Sequence, residues 1–122
     1  MRIYVIETDS KKRGNIVNYD VESIVRLVIE DRFGLVCDRI EKVPDGANQT
    51  FRVGSCGSSY YAKIYDDDTT LQKLRIEHRR LAETGGREYS YVRPPILTSD
   101  EATYAVVLLD ECTRYLAVFP EA

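Results

Sequence analysis

One lysine stands inside an aromatic, strand-like run, Tyr-Tyr-Ala-Lys-Ile-Tyr over residues 60–65. Its ammonium must reach water along a strand edge or meet an anion, because an unpaired buried charge is costly. Taken alone, Lys63 reads as an exposed or snorkelling lysine. Glu77 changes that reading. Leu71, Leu74, His78 and Leu81 recur at helical spacing, and Glu77 flanks this stripe about one helical step away. A helix packed by that stripe would turn the Glu77 carboxylate toward the sheet that carries Lys63. A lysine held by a carboxylate presents a fixed positive charge, which suits a phosphate group. The plainer reading of Glu77 is a solvated helix flank beside Arg79 and Arg80.

A second constellation is the turn Gly46-Ala47-Asn48-Gln49, whose backbone N–H groups could face phosphate oxygens. It is neither a GxxxxGK[ST] loop nor a full GxGxxG. As an isolated motif it does no more than turn the chain. His78, the single histidine, lies on the apolar stripe and reads as a packed or hydrogen-bonded structural residue. Asp66, Asp67 and Asp68 resemble a metal cage but fit a helix N-terminus better. Cys37, Cys56 and Cys112 are widely spaced with no CxxC, which disfavours zinc and a disulfide framework and favours a reducing cytoplasm.

These residues belong to a chain of 122 residues, enough for one domain. With 43% hydrophobic and 30% charged residues and a net charge of −3, it has no footprint of a nucleic-acid binder. Its apolar runs fall far short of a membrane span, and its N-terminal apolar stretch is shorter than a signal-peptide core.

The elements that must position the candidate residues follow from period changes. Residues 3–6 read as a short strand within a weakly specified arm, residues 1–18. Asp20 can cap a helix over 20–33 that ends at Gly34, since Val21, Ile24, Val25 and Val28 share a face. Strands are expected over 35–43, 49–53 and 59–65. The turns are Pro44–Asn48 and Gly54–Ser58. The third strand would turn Tyr60, Ala62 and Ile64 to one face and Tyr61, Lys63 and Tyr65 to the other. The aspartate run and Thr69 cap a helix over 69–83, closed by Gly85-Gly86. Strands over 103–109 and 114–119 form a hairpin around residues 110–113. The expected fold is α+β: a five-stranded antiparallel sheet with packed helices.

In order and spacing these pieces resemble the aminoglycoside phosphotransferase superfamily, which includes homoserine-kinase-like and choline-kinase-like enzymes. The resemblance covers residues 20–122. It runs through Phe33-Gly34-Leu35, the stretch Pro-Asp-Gly-Ala-Asn-Gln-Thr-Phe-Arg-Val over 44–53, and the Lys63 strand. It continues through Arg-Ile-Glu-His-Arg-Arg-Leu over 75–81, Val92-Arg93-Pro94-Pro95, and Tyr-Leu-Ala-Val-Phe-Pro-Glu-Ala over 115–122. It implies a protein-kinase-like small lobe over 19–122, ending at the interlobe hinge. Gly46, Ala47, Asn48 and Gln49 would cover the phosphates of ATP, and Lys63 would contact the α- and β-phosphates with Glu77 as its ion-pair partner. Tyr61 would stack on adenine. The Pro120 carbonyl and the Ala122 N–H would bind the adenine edge.

Members of the superfamily continue into a helical large lobe that carries the catalytic aspartate, a nearby asparagine and the Mg²⁺-binding aspartate. No HxDxxxxN-like run occurs in these 122 residues, which are expected to stop at the hinge. The resemblance therefore implies an ATP-binding lobe that takes part in phosphoryl transfer to a hydroxyl, with Mg²⁺, only when a large lobe completes it. By itself the chain holds no catalytic or metal-binding residue. The alternative is a free-standing small lobe that works as a binding or dimerisation module. A third reading is a plain α+β domain with structural Lys63 and Glu77. A lobe without its large partner is expected to expose Tyr61, Tyr65 and residues 116–119, and so to seek a second copy or a partner chain.

Overall fold

Alternating apolar residues with two-residue turns dictate strands, and two amphipathic stripes dictate helices. In the computed structural model, which describes residues 3–6, 21–44, 46, 48–84, 93–109 and 112–121, these become eight elements. They are β1 (Ile3–Ile6), α1 (Val21–Arg32), β2 (Arg39–Val43), β3 (Gln49–Ser55), β4 (Ser58–Ile64), α2 (Leu71–Thr84), β5 (Ala105–Leu109) and β6 (Cys112–Pro120). The strands form one sheet in the order β1-β5-β6-β4-β3-β2. Five of them, β2 to β6, are joined antiparallel as expected. The sixth, β1, adds in parallel to β5, with Ile3 opposite Val106.

Each face of the sheet builds its own core. Phe51, Val53, Ala62, Ile64, Ala105, Val107, Leu109, Leu116 and Val118 point to one face and bury Ile24, Val25, Val28 and Ile29 of α1. The opposite face gathers Tyr65, Ala117 and Phe119 under Leu74 and Leu81 of α2. Burying a Leu or Ile side chain in such a layer stabilises by roughly 1.5–3 kcal/mol. The faces of β4 are thus as the alternation required, with Tyr60, Ala62 and Ile64 against α1 and Lys63 and Tyr65 on the α2 side.

Several boundaries differ from expectation. Residues 35–38 are not strand; Cys37 is buried there, with its N–H on Glu30 Oε2 at 3.2 Å and its carbonyl held by Arg26 at 2.7 Å. The turn between β3 and β4 narrows to Cys56 and Gly57, with φ of 49° and 84°. Two consecutive positive φ angles match the right-handed twist of the strands, so pairing runs on to Ser55 and Ser58. Likewise β5 and β6 pair out to Leu109 and Cys112, so Cys112 and Thr113 are strand rather than turn. Gly34, at φ +69°, ends α1 as expected. The N-cap of α2 is Thr70, whose Oγ1 accepts the Lys73 N–H at 3.2 Å. The aspartate run lies one turn earlier, where Asp66 accepts the Thr69 hydroxyl at 2.9 Å. Asp20, Gly85 and Gly86 lie outside the described residues.

Residues 96–99, ahead of β5, are pinned by backbone hydrogen bonds. Ile96 N–H donates to the Val118 carbonyl at 2.8 Å, and Ser99 N–H donates to the Arg32 carbonyl at 3.0 Å. Arg32 also pairs with Asp100, which closes the C-terminal end of α1. Among the described residues no helix is long and apolar enough to cross a membrane.

Candidate functional site

The α2 face of the sheet carries the candidate residues in a line. Gln49 pairs with Ile64, so the turn before β3 lies at the Lys63 end of β4. Tyr61 pairs with Phe119 and Tyr60 with Pro120, so the end of β6 lies at the other. Lys63 and Tyr61, two residues apart on one face, are separated by about 7 Å along the strand. Ala117 stands across from Lys63 on β6.

At the Lys63 end the expected ion pair is replaced by a shared partner. Lys63 Nζ stands over the ring of Tyr65, 4.7 Å from its centroid. The Tyr65 hydroxyl donates to Glu77 Oε1 at 2.9 Å. Lys63 and Glu77 therefore lie on the same side of the sheet, both against Tyr65, and no direct ion pair between them is among the described contacts. The physical reason is the position of Tyr65. It directly follows β4, with its N–H on the Tyr115 carbonyl at 2.9 Å, and it is buried in one cluster with Leu74 and Leu81 of α2.

The network continues inward. His78 Nε2 lies 3.2 Å from the Tyr65 oxygen, and His78 Nδ1 lies 2.7 Å from Thr103 Oγ1. Its ring makes edge contacts with Tyr65 and Phe119, with centroids at 6.1 and 5.9 Å. His78 is 3% exposed, as its place on the stripe predicts. Burial first, and then the Lys63 charge, lower its pKa to about 4, so the imidazole is neutral at pH 7.

At the other end Glu121 organises a polar cluster. It accepts two bonds from Arg52 Nη2, at 3.3 and 3.2 Å, and one from the Tyr61 hydroxyl at 3.2 Å. The Arg52 hydrogen bond holds the Glu121 carboxyl below its usual range. Sequence reasoning assigned no role to Arg52 or Glu121. The alternation of β3 was the available signal, because it turns Arg52 to the Tyr61 face while Phe51 and Val53 point into the core. Glu121 N–H is taken by the Ser59 carbonyl at 3.0 Å. Pro120 ends β6 half-buried and, with Ser58, Ser59, Tyr60 and Glu121, lines an open recess of about 350 Å³. Tyr60 faces away from Lys63, so this recess is not the expected phosphate site.

The turn residues divide. Gly46 is exposed at φ +53°, with nothing within 4 Å of where a Cβ would be. Asn48 Oδ1 accepts the Asp66 N–H at 3.0 Å and ties the turn to the segment before α2. Gln49 opens β3, half-buried. Ala47 and Ala122 lie outside the described residues. Among the described residues no His, Cys, Asp or Glu cluster could hold a metal ion.

The surfaces expected to be left open are covered instead. Tyr65 is 3% exposed and Phe119 7%, because α2 lies over them, and Leu116, Ala117 and Val118 are fully buried. Tyr61 is half-buried. The argument for self-association from bare aromatic faces therefore does not hold at these residues.

An antiparallel five-stranded sheet with its lysine strand overlaid by a helix is the architecture of a kinase-like small lobe. Among solved structures the chain is similar to spectinomycin phosphotransferase APH(9)-Ia in complex with ADP and spectinomycin, with a TM-score of 0.58 and 13% identity. The match covers 79% of this chain and 28% of that one, so the chain spans little more than a quarter of that enzyme. At this identity the likeness establishes an aminoglycoside-phosphotransferase-like fold. No family model and no curated protein matches the sequence.

Proposed function

We propose that residues 19–122 form a nucleotide-binding lobe of the aminoglycoside-phosphotransferase kind, which takes part in phosphoryl transfer to a hydroxyl when joined by a large lobe. The observation that carries this reading is the order of groups on one sheet face. The Gly46–Gln49 turn and Lys63 stand at one end, with Tyr61 and the chain leaving β6 at the other. Such a row suits a nucleoside triphosphate laid along β4. Its phosphates would lie at Lys63 and the turn, its base against Tyr61, and its base edge at the Pro120 carbonyl and the Ala122 N–H.

The donor set fits the ligand. Lys63 would bring a cation to the phosphates, and Glu77, held against the same Tyr65, would pair with it when nucleotide binds. The adjacent Glu121 N–H is already bonded, which leaves Ala122 as the next backbone donor for a base. The neighbouring enzyme was crystallised with ADP, which agrees with a nucleotide as ligand. When bound, ATP with Mg²⁺ supplies the transferable phosphoryl group. The residues here hold and orient it, and the metal-binding carboxylates come from the second lobe. The three free cysteines are consistent with a reducing, cytoplasmic setting.

Calorimetric titration with MgATP tests the reading. The wild-type chain is expected to bind weakly, Lys63→Ala to lose binding, and Lys42→Ala, on the exposed edge strand, to keep it. Equal binding by all three would show that Lys63 is not the phosphate ligand.

A further inference from the structure

The reading of Lys63 and Glu77 as a phosphate site does not explain why a buried tyrosine and histidine and a half-buried threonine are strung together behind them. The hydrogen bonds in that string have one consistent direction. The Glu77 carboxylate oxygen accepts, so Tyr65 donates its only proton to it. The Tyr65 oxygen is then an acceptor toward His78, and the neutral imidazole must carry its proton on Nε2. That leaves Nδ1 as a bare lone pair, to which the Thr103 hydroxyl donates. Each polar group is satisfied only in this arrangement, Thr103 to His78 to Tyr65 to Glu77. The reverse direction would set a Tyr65 lone pair against a carboxylate lone pair.

We propose that Tyr65 is a positioning residue for this site, with His78 and Thr103 fixing its hydroxyl. The tyrosine performs two tasks at once. Its hydroxyl holds one oxygen of the exposed Glu77 carboxylate, which leaves the second oxygen available to a cation. Its ring carries the Lys63 ammonium at 4.7 Å, a cation–π contact that holds the charge on the same side of the sheet as that glutamate. Thr103 precedes β5 and His78 lies on α2, so the string also sets how α2 rests on the sheet. The proposal rests on the phosphate reading of Lys63, and it adds that the geometry of the lysine and glutamate is set from within the core.

The single histidine makes the test unambiguous, because its ring nitrogens give one set of ¹⁵N signals. At pH 7 the wild-type chain is expected to show the Nε2–H tautomer. Tyr65→Phe keeps the ring and the packing and removes the hydroxyl. It should disturb the His78 tautomer, weaken MgATP binding by roughly five-fold, the effect of one lost hydrogen bond, and lower the melting temperature by a few degrees because the buried His78 Nε2–H loses its acceptor. Tyr65→Leu should weaken binding further and abolish the upfield ring-current shift of the Lys63 ε-methylene protons, a shift that Tyr65→Phe retains. Thr103→Val, which touches neither Lys63 nor Glu77, should shift the tautomer and weaken binding in the same direction. An Nδ1–H tautomer in the wild type overturns the proposal. So does wild-type affinity in Tyr65→Phe when Lys63→Ala has lost binding, a result that leaves the phosphate reading standing. No MgATP binding by a wild-type chain that shows the expected tautomer sinks the phosphate reading, and the proposed role with it.

Discussion

At the residue scale the site is governed by which charges are shielded and which are paired. Neutral His78 belongs to the folded state, since its pKa of about 4 lies below the ordinary 6.5 that it regains on unfolding. Between those values the unfolded chain binds the proton and the folded chain does not, so stability falls as pH drops from 6.5 toward 4. Above 6.5 the effect is absent, and below 4 it grows no further. The loss is at most about 3 kcal/mol for a shift of this size. Asp100 and Glu121, whose carboxyl pKa values are lowered chiefly by hydrogen bonds from Arg32 and Arg52, act in a more acidic window. Their contribution is present above the ordinary carboxylate range and is lost as pH falls through the lowered values. Denaturant titrations at pH 7.5 and 4.5 are expected to differ in wild type and to differ less in His78→Gln. An equal pH dependence in both chains would count against the histidine as the source.

At the element scale, the helix that carries Glu77 and His78 owes its start to one hydroxyl. Thr70 Oγ1 takes the Lys73 N–H, and the Thr70 carbonyl accepts the first helical bond, from Leu74 at 3.0 Å. Thr70→Ala is expected to cost about 1 kcal/mol, the usual value of a lost N-cap. Substituting Asp67, which is exposed, should cost little. Urea unfolding of both variants decides between them, and a larger loss for Asp67→Ala would return the cap to the aspartate run. Within the aspartate run, Asp66 is engaged with Thr69 through its side chain and with Asn48 through its N–H. Its side chain organises the connection between β4 and α2, and so the distance from Lys63 to Glu77.

At the scale of the whole molecule, the sheet separates two tasks. The α1 face is a nearly all-apolar layer, closed at one corner by the segment before β5 and the Arg32–Asp100 pair. The α2 face is part core and part polar row, with Tyr61 and Lys63 two residues apart along β4. Phosphoryl transfer depends mostly on positioned metal and charge. These 122 residues are therefore expected to hold ATP without turning it over. An assay with purified chain, MgATP and alcohol acceptors, aminoglycosides included, should show no product above background. Turnover abolished by Lys63→Ala would overturn that expectation and place catalytic groups within this lobe.

The local content of the fold was legible in the sequence because it depends on period. Residues 60–65 alternate, so the faces of β4 followed. Leu74, His78 and Leu81 recur at helical spacing, so α2 and its buried histidine followed, with Glu77 on the sheet-facing flank. Gly34 and the Gly54–Ser58 stretch marked chain reversals, and Gly34 and Gly57 take there the positive φ that is cheap for glycine. Tertiary structure alone decided the rest, through contacts between residues distant in sequence. The pairing of β1 with β5 joins segments about a hundred residues apart, and no local pattern encodes a parallel partner. The Arg52–Glu121 pair depends on β3 and β6 both flanking β4. Covering of Tyr65 and Phe119 depends on where α2 comes to rest. The partner of Glu77 was decided in the same way: spacing brought the carboxylate to the correct face, and the packed Tyr65 ring determined that it would meet a hydroxyl before it met the lysine.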